Sequence, residues 1–240
     1  MNKAQNGSMT PTDLDAVYRA LDRIQALVEF DLDGNVVAAN DNFLRIFGYE
    51  ADEVLGQHHR IFCESDYAGS EEYLEFWRQL SSGECNAGEF KRLAKGGREI
   101  WLQASYNPVF DADGKPLRVI KFATDITESK RRNAEYEGML EAINRSQAVI
   151  EFDLQGTVLT ANDNFLKIFG YRLDEVVGKH HRMFCEPGYA ESADYAEFWR
   201  RLGTGEYDAD EFKRVDKNGS EIWLQASYNP IMDADGKPVK

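Results

Sequence analysis

The stretch ANDNFLRIFGY runs from Ala39 to Tyr49, and ANDNFLKIFGY runs from Ala161 to Tyr171. The two differ at one position, Arg45 against Lys167. Working outward, Glu29-Phe30-Asp31-Leu32 matches Glu151-Phe152-Asp153-Leu154, an offset of 122 residues (29 to 151). The offset holds for His58-His59-Arg60 and His180-His181-Arg182, for Cys63 and Cys185, and for Phe76-Trp77-Arg78 and Phe198-Trp199-Arg200. EIWLQASYNP occurs whole at Glu99–Pro108 and at Glu221–Pro230. A unit of roughly a hundred residues, duplicated without an insertion, is too long for a solenoid repeat and fits one small domain per copy.

Composition narrows the function classes. The chain of 240 residues is 42% hydrophobic, ordinary for a folded protein. Its net charge of −14 argues against a nucleic-acid or anionic-membrane surface, which needs clustered Lys and Arg. No apolar run is long enough for a membrane span, and the polar N-terminus has no signal-peptide core. Three dispersed cysteines, Cys63, Cys85 and Cys185, read as free thiols in a reducing, cytoplasmic compartment.

Within one unit, VEFDLDGNVVAAN reads as a hairpin in which Val28 and Phe30 alternate with polar residues and Asp33-Gly34 turns the chain. Asn40 to Gly48 reads as a short capped helix with Phe43, Ile46 and Phe47 on one face. Asp52 to Gly56 adds another short turn of helix, and Ser70 to Leu80 a longer helix with Tyr73, Phe76, Trp77 and Leu80 together. Three strands follow, Glu89–Leu93, Glu99–Phe110 and Leu117–Thr124, joined by turns at Lys95-Gly96-Gly97 and Asp111–Gly114. Along the second, Ile100, Leu102, Ala104 and Tyr106 face one way, while Trp101, Gln103, Ser105 and Asn107 face the other. The fold class is α+β, a five-strand antiparallel sheet with short helices on one face, built twice.

The order AN-NF---FGY, F-W--L--GE, EIWL-A--NP and ATDIT (Ala123–Thr127) resembles the PAS sensor family over nearly the whole chain, in both copies. More narrowly it resembles the tandem-PAS sensing half of methyl-accepting chemotaxis transducers of the aerotaxis and biofilm-dispersion type, with GKHHRMFCEPGYAESADYAEFWRRLGTGEYDADEFKR as the specific part. The resemblance implies an N-terminal helix at 1–25, a first PAS domain at 26–126, a helical linker at 127–147 and a second PAS domain at 148–240. The last strand of the second copy stops at Lys237-Pro238-Val239-Lys240, so a fragment with an output domain beyond Lys240 is expected. By the same resemblance the partners are a second copy of the chain, a C-terminal methyl-accepting signalling domain, and a chemotaxis kinase and adaptor. The sensor half of a histidine kinase or of a cyclic-dinucleotide enzyme is the alternative, and so is a ligand-free dimerisation and scaffolding module.

The helices outside the two units carry short heptad seams, Leu14, Val17, Leu21 and Ile24 in one and Tyr136, Met139 and Ile143 in the other. They either lie on their own domains or pair in a dimer. The four histidines are the pairs His58-His59 and His180-His181. Haem can take a proximal His and zinc takes His and Cys, but no ligand set closes around His59 and Cys63. Cys63 and Cys185 read as half-buried thiols beside Glu64 and Glu186. No nucleophile, base and oxyanion group assemble in the sequence, so no catalytic and no metal site is expected. The candidate cofactor wall is Phe43, Ile46, Trp77, Leu102 and Ala104 with His58, and in the second copy Phe165, Ile168, Trp199, Leu224 and Ala226 with His180. The resemblance to flavin-binding aerotaxis PAS domains makes FAD a candidate there, with haem second and an empty, side-chain-filled pocket third. Against flavin, Asn86 and Asp208 stand where those domains carry a second Trp, and Cys63-Glu64 and Cys185-Glu186 where they carry an Arg-His pair.

Overall fold

The structure, a computed structural model, describes residues 10–240; the side chains of Pro11 and Leu14 lie outside the described set. The chain divides into two compact units, residues 1–134 and 135–240. That boundary falls on the duplication itself, because Asp13 corresponds to Glu135 at the same offset of 122. The repeated unit therefore includes the helix that precedes its first strand.

Helix α1 (Pro11–Ile24) starts where chemistry favours it. The Thr10 hydroxyl accepts from the Asp13 amide at 3.2 Å, the Asp13 carboxylate accepts from the Thr10 amide at 3.0 Å, and Pro11 stands at the first helical position. Strands β1 (Ala26–Phe30) and β2 (Val36–Ala39) form the expected hairpin. At its turn, Asp31 Oδ1 accepts from the amides of Asp33 and Asn35 at 3.1 and 2.8 Å. Gly34 there has φ +87°, and a Cβ would sit 2.9 Å from the Trp77 indole, so the close approach as well as the dihedral needs glycine.

Short helices follow: α2 (Asp41–Phe47), α3 (Ala51–Val54), a 3-10 turn at His59–Phe62, α4 (Ser65–Ala68) and α5 (Glu71–Ser82). Strands β3 (Asn86–Leu93), β4 (Glu99–Phe110) and β5 (Pro116–Asp125) complete an antiparallel sheet in the order β2-β1-β5-β4-β3. Inward residues of β4 alternate as expected: Ile100, Leu102, Ala104 and Tyr106 are buried against Phe43, Phe47, Tyr73, Phe76 and Trp77 of the helices. Strand β1 departs from the alternating pattern, because all five of its residues are buried. It lies between β2 and β5, and its outward Glu29 is covered by an ion pair with Arg118 at 2.7 Å and by the Tyr18 hydroxyl of α1 at 3.4 Å.

Helix α6 (Thr127–Ser146) joins the first unit's exit to the second unit's entry. The second unit repeats the order with β6 (Ile150–Phe152), β7 (Val158–Ala161), α7 (Asp163–Phe169), α8 (Leu173–Val176), a 3-10 turn at His181–Phe184, α9 (Pro187–Ala190), α10 (Ala193–Gly203), β8 (Asp208–Val215) and β9 (Glu221–Tyr228). Register is repeated too: Val28↔Ala39 becomes Ile150↔Ala161, and Gly88↔Ala104 becomes Asp210↔Ala226. The first unit bears out the five-strand sheet, and in the second the last strand stops at Lys240, as the sequence led us to expect. The second unit holds two separate two-stranded sheets, β6-β7 and β8-β9. In the first unit β5 bridges β1 and β4; of its counterpart the sequence contains Pro238, Val239 and Lys240. Lys240 still makes the matching contact, an ion pair with Glu151 at 2.7 Å that repeats Arg118–Glu29.

Candidate functional site

The interior of each unit centres on a histidine, and it is the second of each pair. His59 is 0% and His181 2% exposed, whereas His58 and His180 are half-buried. His58 and His180, expected on the cofactor wall, lie at its margin, their ring centroids 6.0 Å from those of Trp77 and Trp199. The cause is local. The His58 ring turns back to accept from the Arg60 amide at 3.2 Å, capping the 3-10 turn, which leaves the next side chain to point inward. His180 does the same for Arg182.

Both nitrogens of each buried ring are occupied. His59 Nδ1 lies 3.0 Å from the Tyr73 hydroxyl and Nε2 3.0 Å from the Tyr106 hydroxyl. Arg92 Nη2 donates to Tyr106 at 3.3 Å. With the His59 proton on Nδ1 the donors form a relay: Tyr106 accepts from Arg92 and donates to His59 Nε2, His59 Nδ1–H donates to Tyr73, and the Tyr73 hydroxyl, 3.4 Å from His58 Nδ1, shares that acceptor with the Arg60 amide. The same relay runs Arg214, Tyr228, His181, Tyr195, His180 in the second unit. Burial, with Arg92 and Lys121 adding to it, holds His59 well below the usual histidine range; burial and Arg214 push His181 down to about 3. Both rings are neutral, consistent with the relay. Burial pushes the Tyr106 hydroxyl up to about 12, so it remains a donor.

Of the expected cofactor wall, Phe43, Trp77, Leu102 and Ala104 come together in one buried cluster, with Ile46 half-buried at its margin. Phe165, Leu224 and Ala226 take the matching inward positions, and Trp199 is half-buried. Ile168 does not join them. It is 45% exposed, because the i to i+4 pair Phe165 and Phe169 takes the inward face of α7.

The first unit does not fit a large cofactor. Trp77 packs edge-on against Phe30, His59 and Phe76 at centroid distances of 5.5, 5.4 and 5.7 Å, and Phe43 stacks on Phe47 at 4.3 Å. These rings pack against one another among the residues expected to form the cofactor wall. A haem would need a free histidine nitrogen, and both of His59 are engaged by tyrosines. Cys63 Sγ sits 3.7 Å from His59 Nδ1, but burial raises its pKa and makes the thiol unreactive. Among the described residues no three His, Cys, Asp or Glu side chains converge as metal ligands. The second unit does hold an opening of about 1070 Å³ lined by Trp199, Phe165, Leu224 and Ala226. It lies between β6 and β9, the place that β5 fills in the first unit.

Sequence reasoning missed two residues at the centre of this site and two that fasten the helix preceding it. Arg92 and Lys121 are inward-facing cations of β3 and β5, legible as charges at apolar positions of a period-two pattern. Asn40 and Asn42, read only as helix capping, also fasten the preceding helix. Their Nδ2 atoms donate to the carbonyls of Asp22 and Gln25 at 2.9–3.1 Å, while Asn40 Oδ1 caps Phe43 at 2.9 Å. Asn162 and Asn164 hold Asn144 of α6 and Gln147 just past its end in the same way. At its other end α6 is tied to the first sheet. The Trp101 amide donates to the Thr127 hydroxyl at 2.9 Å, and Lys130 pairs with Glu89 at 2.5 Å while lying over the Trp101 ring.

A family model described as the PAS fold matches residues 22–131, and a second of the same description matches 158–240. The biofilm dispersion protein BdlA of Pseudomonas aeruginosa is 52% identical over 221 residues, covering 92% of this chain and 53% of that protein. The aerotaxis receptor of Escherichia coli is 35% identical over 80 residues, 33% of this chain and 16% of the receptor. The oxygen sensor protein DosP of Escherichia coli is 22% identical over 192 residues, 79% of this chain and 24% of that protein. The chain thus spans about half the length of the first of these relatives and less of the others. No helix among the described residues is long and apolar enough to cross a membrane. With two family matches at the two repeats and this fold beneath them, the chain belongs to the PAS family, as a tandem PAS sensor region.

Proposed function

We propose that the chain is the non-enzymatic, cytoplasmic input region of a chemotaxis-type transducer, which senses through a PAS interior and relays the signal along α6 to an output domain and its kinase and adaptor. The observation that carries this reading is the fastening of α6. Thr127 and Lys130 bind its start to β4 and β3, and Asn162 and Asn164 bind its end. A shift of β4 against β5 therefore pulls on the helix without passing through a loop. The names of the relatives, a biofilm dispersion protein, an aerotaxis receptor and an oxygen sensor, support a signal of that class.

A second reading, a ligand-free PAS dimerisation module, is favoured by the close-packed aromatics of the first unit. One experiment separates the two. The chain is fused to a methyl-accepting signalling domain and kinase output is measured during oxygen steps, with Thr127→Ala as the uncoupling variant. A sensory role predicts an oxygen- or redox-dependent output, and at least about a twofold change of basal output in Thr127→Ala, since one lost hydrogen bond is of order 1 kcal/mol. An output insensitive to both leaves the scaffolding reading.

A further inference from the structure

Two basic side chains lie inside the first unit. Arg92 is 3% and Lys121 1% exposed. Both converge on Tyr106: Arg92 Nη2 is 3.3 Å from its hydroxyl, and Lys121 Nζ is 4.8 Å from its ring centroid. Both also act on the Cys63 thiol, each opposing the rise that burial causes in its pKa. Neighbouring strand cations find carboxylates. Lys91 pairs with Glu64 and Glu99 at 2.9 and 2.7 Å, and Arg118 with Glu29 at 2.7 Å. Among the described residues no ion pair reaches Arg92 or Lys121.

Burying a charge without a counter-ion is unfavourable by several kcal/mol per ion, and burial with Arg92 close by pushes the Lys121 amine well below the usual lysine range, so Arg92 is the charge that stays. Arg92 offsets part of this: Nη1 donates to the Lys91 carbonyl at 2.8 Å, and the guanidinium lies over Phe90 and Tyr67 at 4.9 and 5.6 Å. Its Nε is buried with no hydrogen-bond partner within bonding distance among the described residues, while the guanidinium acts on the neighbouring Tyr67 hydroxyl. Nε and Nη2 form one edge of the planar guanidinium, the edge that receives a carboxylate through two parallel hydrogen bonds. Arg92 lies on β3, the edge strand of the sheet, beside the half-buried Tyr67.

We propose that the first unit binds a small carboxylate anion on the Nε–Nη2 edge of Arg92, with the buried Lys121 amine as a second donor. The packed aromatic cluster limits the ligand to a short chain. The second unit carries Arg214 with the same unpartnered Nε, but the position matching Lys121 lies outside its residues, so the proposal concerns the first unit. It deepens the sensory reading and rests on that reading for its consequence, while the binding itself is measured without any output.

The test is isothermal titration of the 240-residue chain with sodium acetate and sodium propionate, against sodium chloride at matched ionic strength, with ¹³C-carboxyl acetate line broadening as a second readout. Saturable one-site binding in the millimolar range is expected, weakened at least about tenfold by both Lys121→Met and Arg92→Gln and not competed by chloride. Lys121→Met replaces a buried amine by an apolar chain of similar length, so loss of binding there is not loss of fold; near-ultraviolet circular dichroism checks this. No saturable binding to the wild-type chain, equal binding in Lys121→Met, or equal competition by chloride overturns the proposal. If acetate fails to bind while Thr127→Ala still shifts the fused output, the ligand class falls and the sensory reading stands.

Discussion

At the scale of single residues, the decisive choice is which histidine turns inward. The sequence shows two adjacent pairs and no periodicity that selects between them, because a 3-10 turn of four residues is too short to show a face. The cap made by His58 selects His59, and that is a property of backbone geometry. The consequence is a pH dependence. The folded pKa of His59 and of His181 lies below the unfolded value of 6.5, so both states are neutral above 6.5 and stability is fully present there. As pH falls below 6.5 the unfolded chain binds protons that the folded one refuses, and stability falls by up to about 1.4 kcal/mol per pH unit for each histidine within its own unit. Denaturant unfolding between pH 6.5 and 5, above the carboxylate range, should show this slope, and His59→Gln should flatten it in the first unit. Trp77 was readable as core from its place on α5 and is buried; Trp77→Ala should cost about 3–5 kcal/mol, and the half-buried Trp199→Ala distinctly less. Equal losses in urea titrations would contradict the different packing of the two indoles.

At the scale of elements, most boundaries were legible because the signals are local. Glycine at left-handed φ ends α2 and α5, Ser70 starts α5, and period-two alternation gives β4 its full extent. Strand β1 misled, since a central strand covered by α1 on its outer side loses the polar alternation that a half-exposed strand would keep. The Asn-x-Asn of the opening motif was half legible: Asn40 reads as an N-cap, but the reach of both amides to the carbonyls that end α1 is a tertiary contact eighteen to twenty residues back in sequence. Asn42→Ala removes the hydrogen bonds to Asp22 and Gln25, together with an exposed one from Arg45 on the same helix, and should destabilise by about 1 kcal/mol. Asn40→Ala also removes the cap of α2 and the acceptor for the Leu27 amide, and should cost about 2 kcal/mol or more. Hydrogen exchange should speed up in the last turn of α1 in both variants. An unchanged α1 in either would mean that the amides do not hold it.

At the scale of the whole molecule, the duplication is the feature most plainly written in the sequence, and the structure enlarges it to include the entry helix, so that α6 serves as exit helix of one unit and entry helix of the next. The apolar stripes on these helices remain to be covered. Tyr18 packs toward Glu29 and Leu21 is half-buried, so α1 does lie on its own domain in part; the side chain of Leu14 is outside the described residues. Val17 is nonetheless exposed, Ile24 is 78% exposed, and on α6 Tyr136, Met139, Leu140 and Ile143 are all exposed. Leu140 and Ile143 face the opening of the second unit. That leaves Val17 and Ile24 on one helix, with Tyr136 and Met139 on the other, as heptad-spaced apolar residues not covered by any described residue, and exposed stripes of this kind mark an interface. The covering surface we expect is the same helix of a second copy. One helix of 14 residues is too short to dimerise alone, so the pairing needs contacts from the folded domains as well. Deleting residues 1–25 should then shift the chain from dimer to monomer in analytical ultracentrifugation at low micromolar concentration, and Ile24→Glu should do the same without removing the helix. A truncated chain that remains dimeric would move the seam to Tyr136 and Met139 of α6, where Met139→Glu would be the variant that separates the copies.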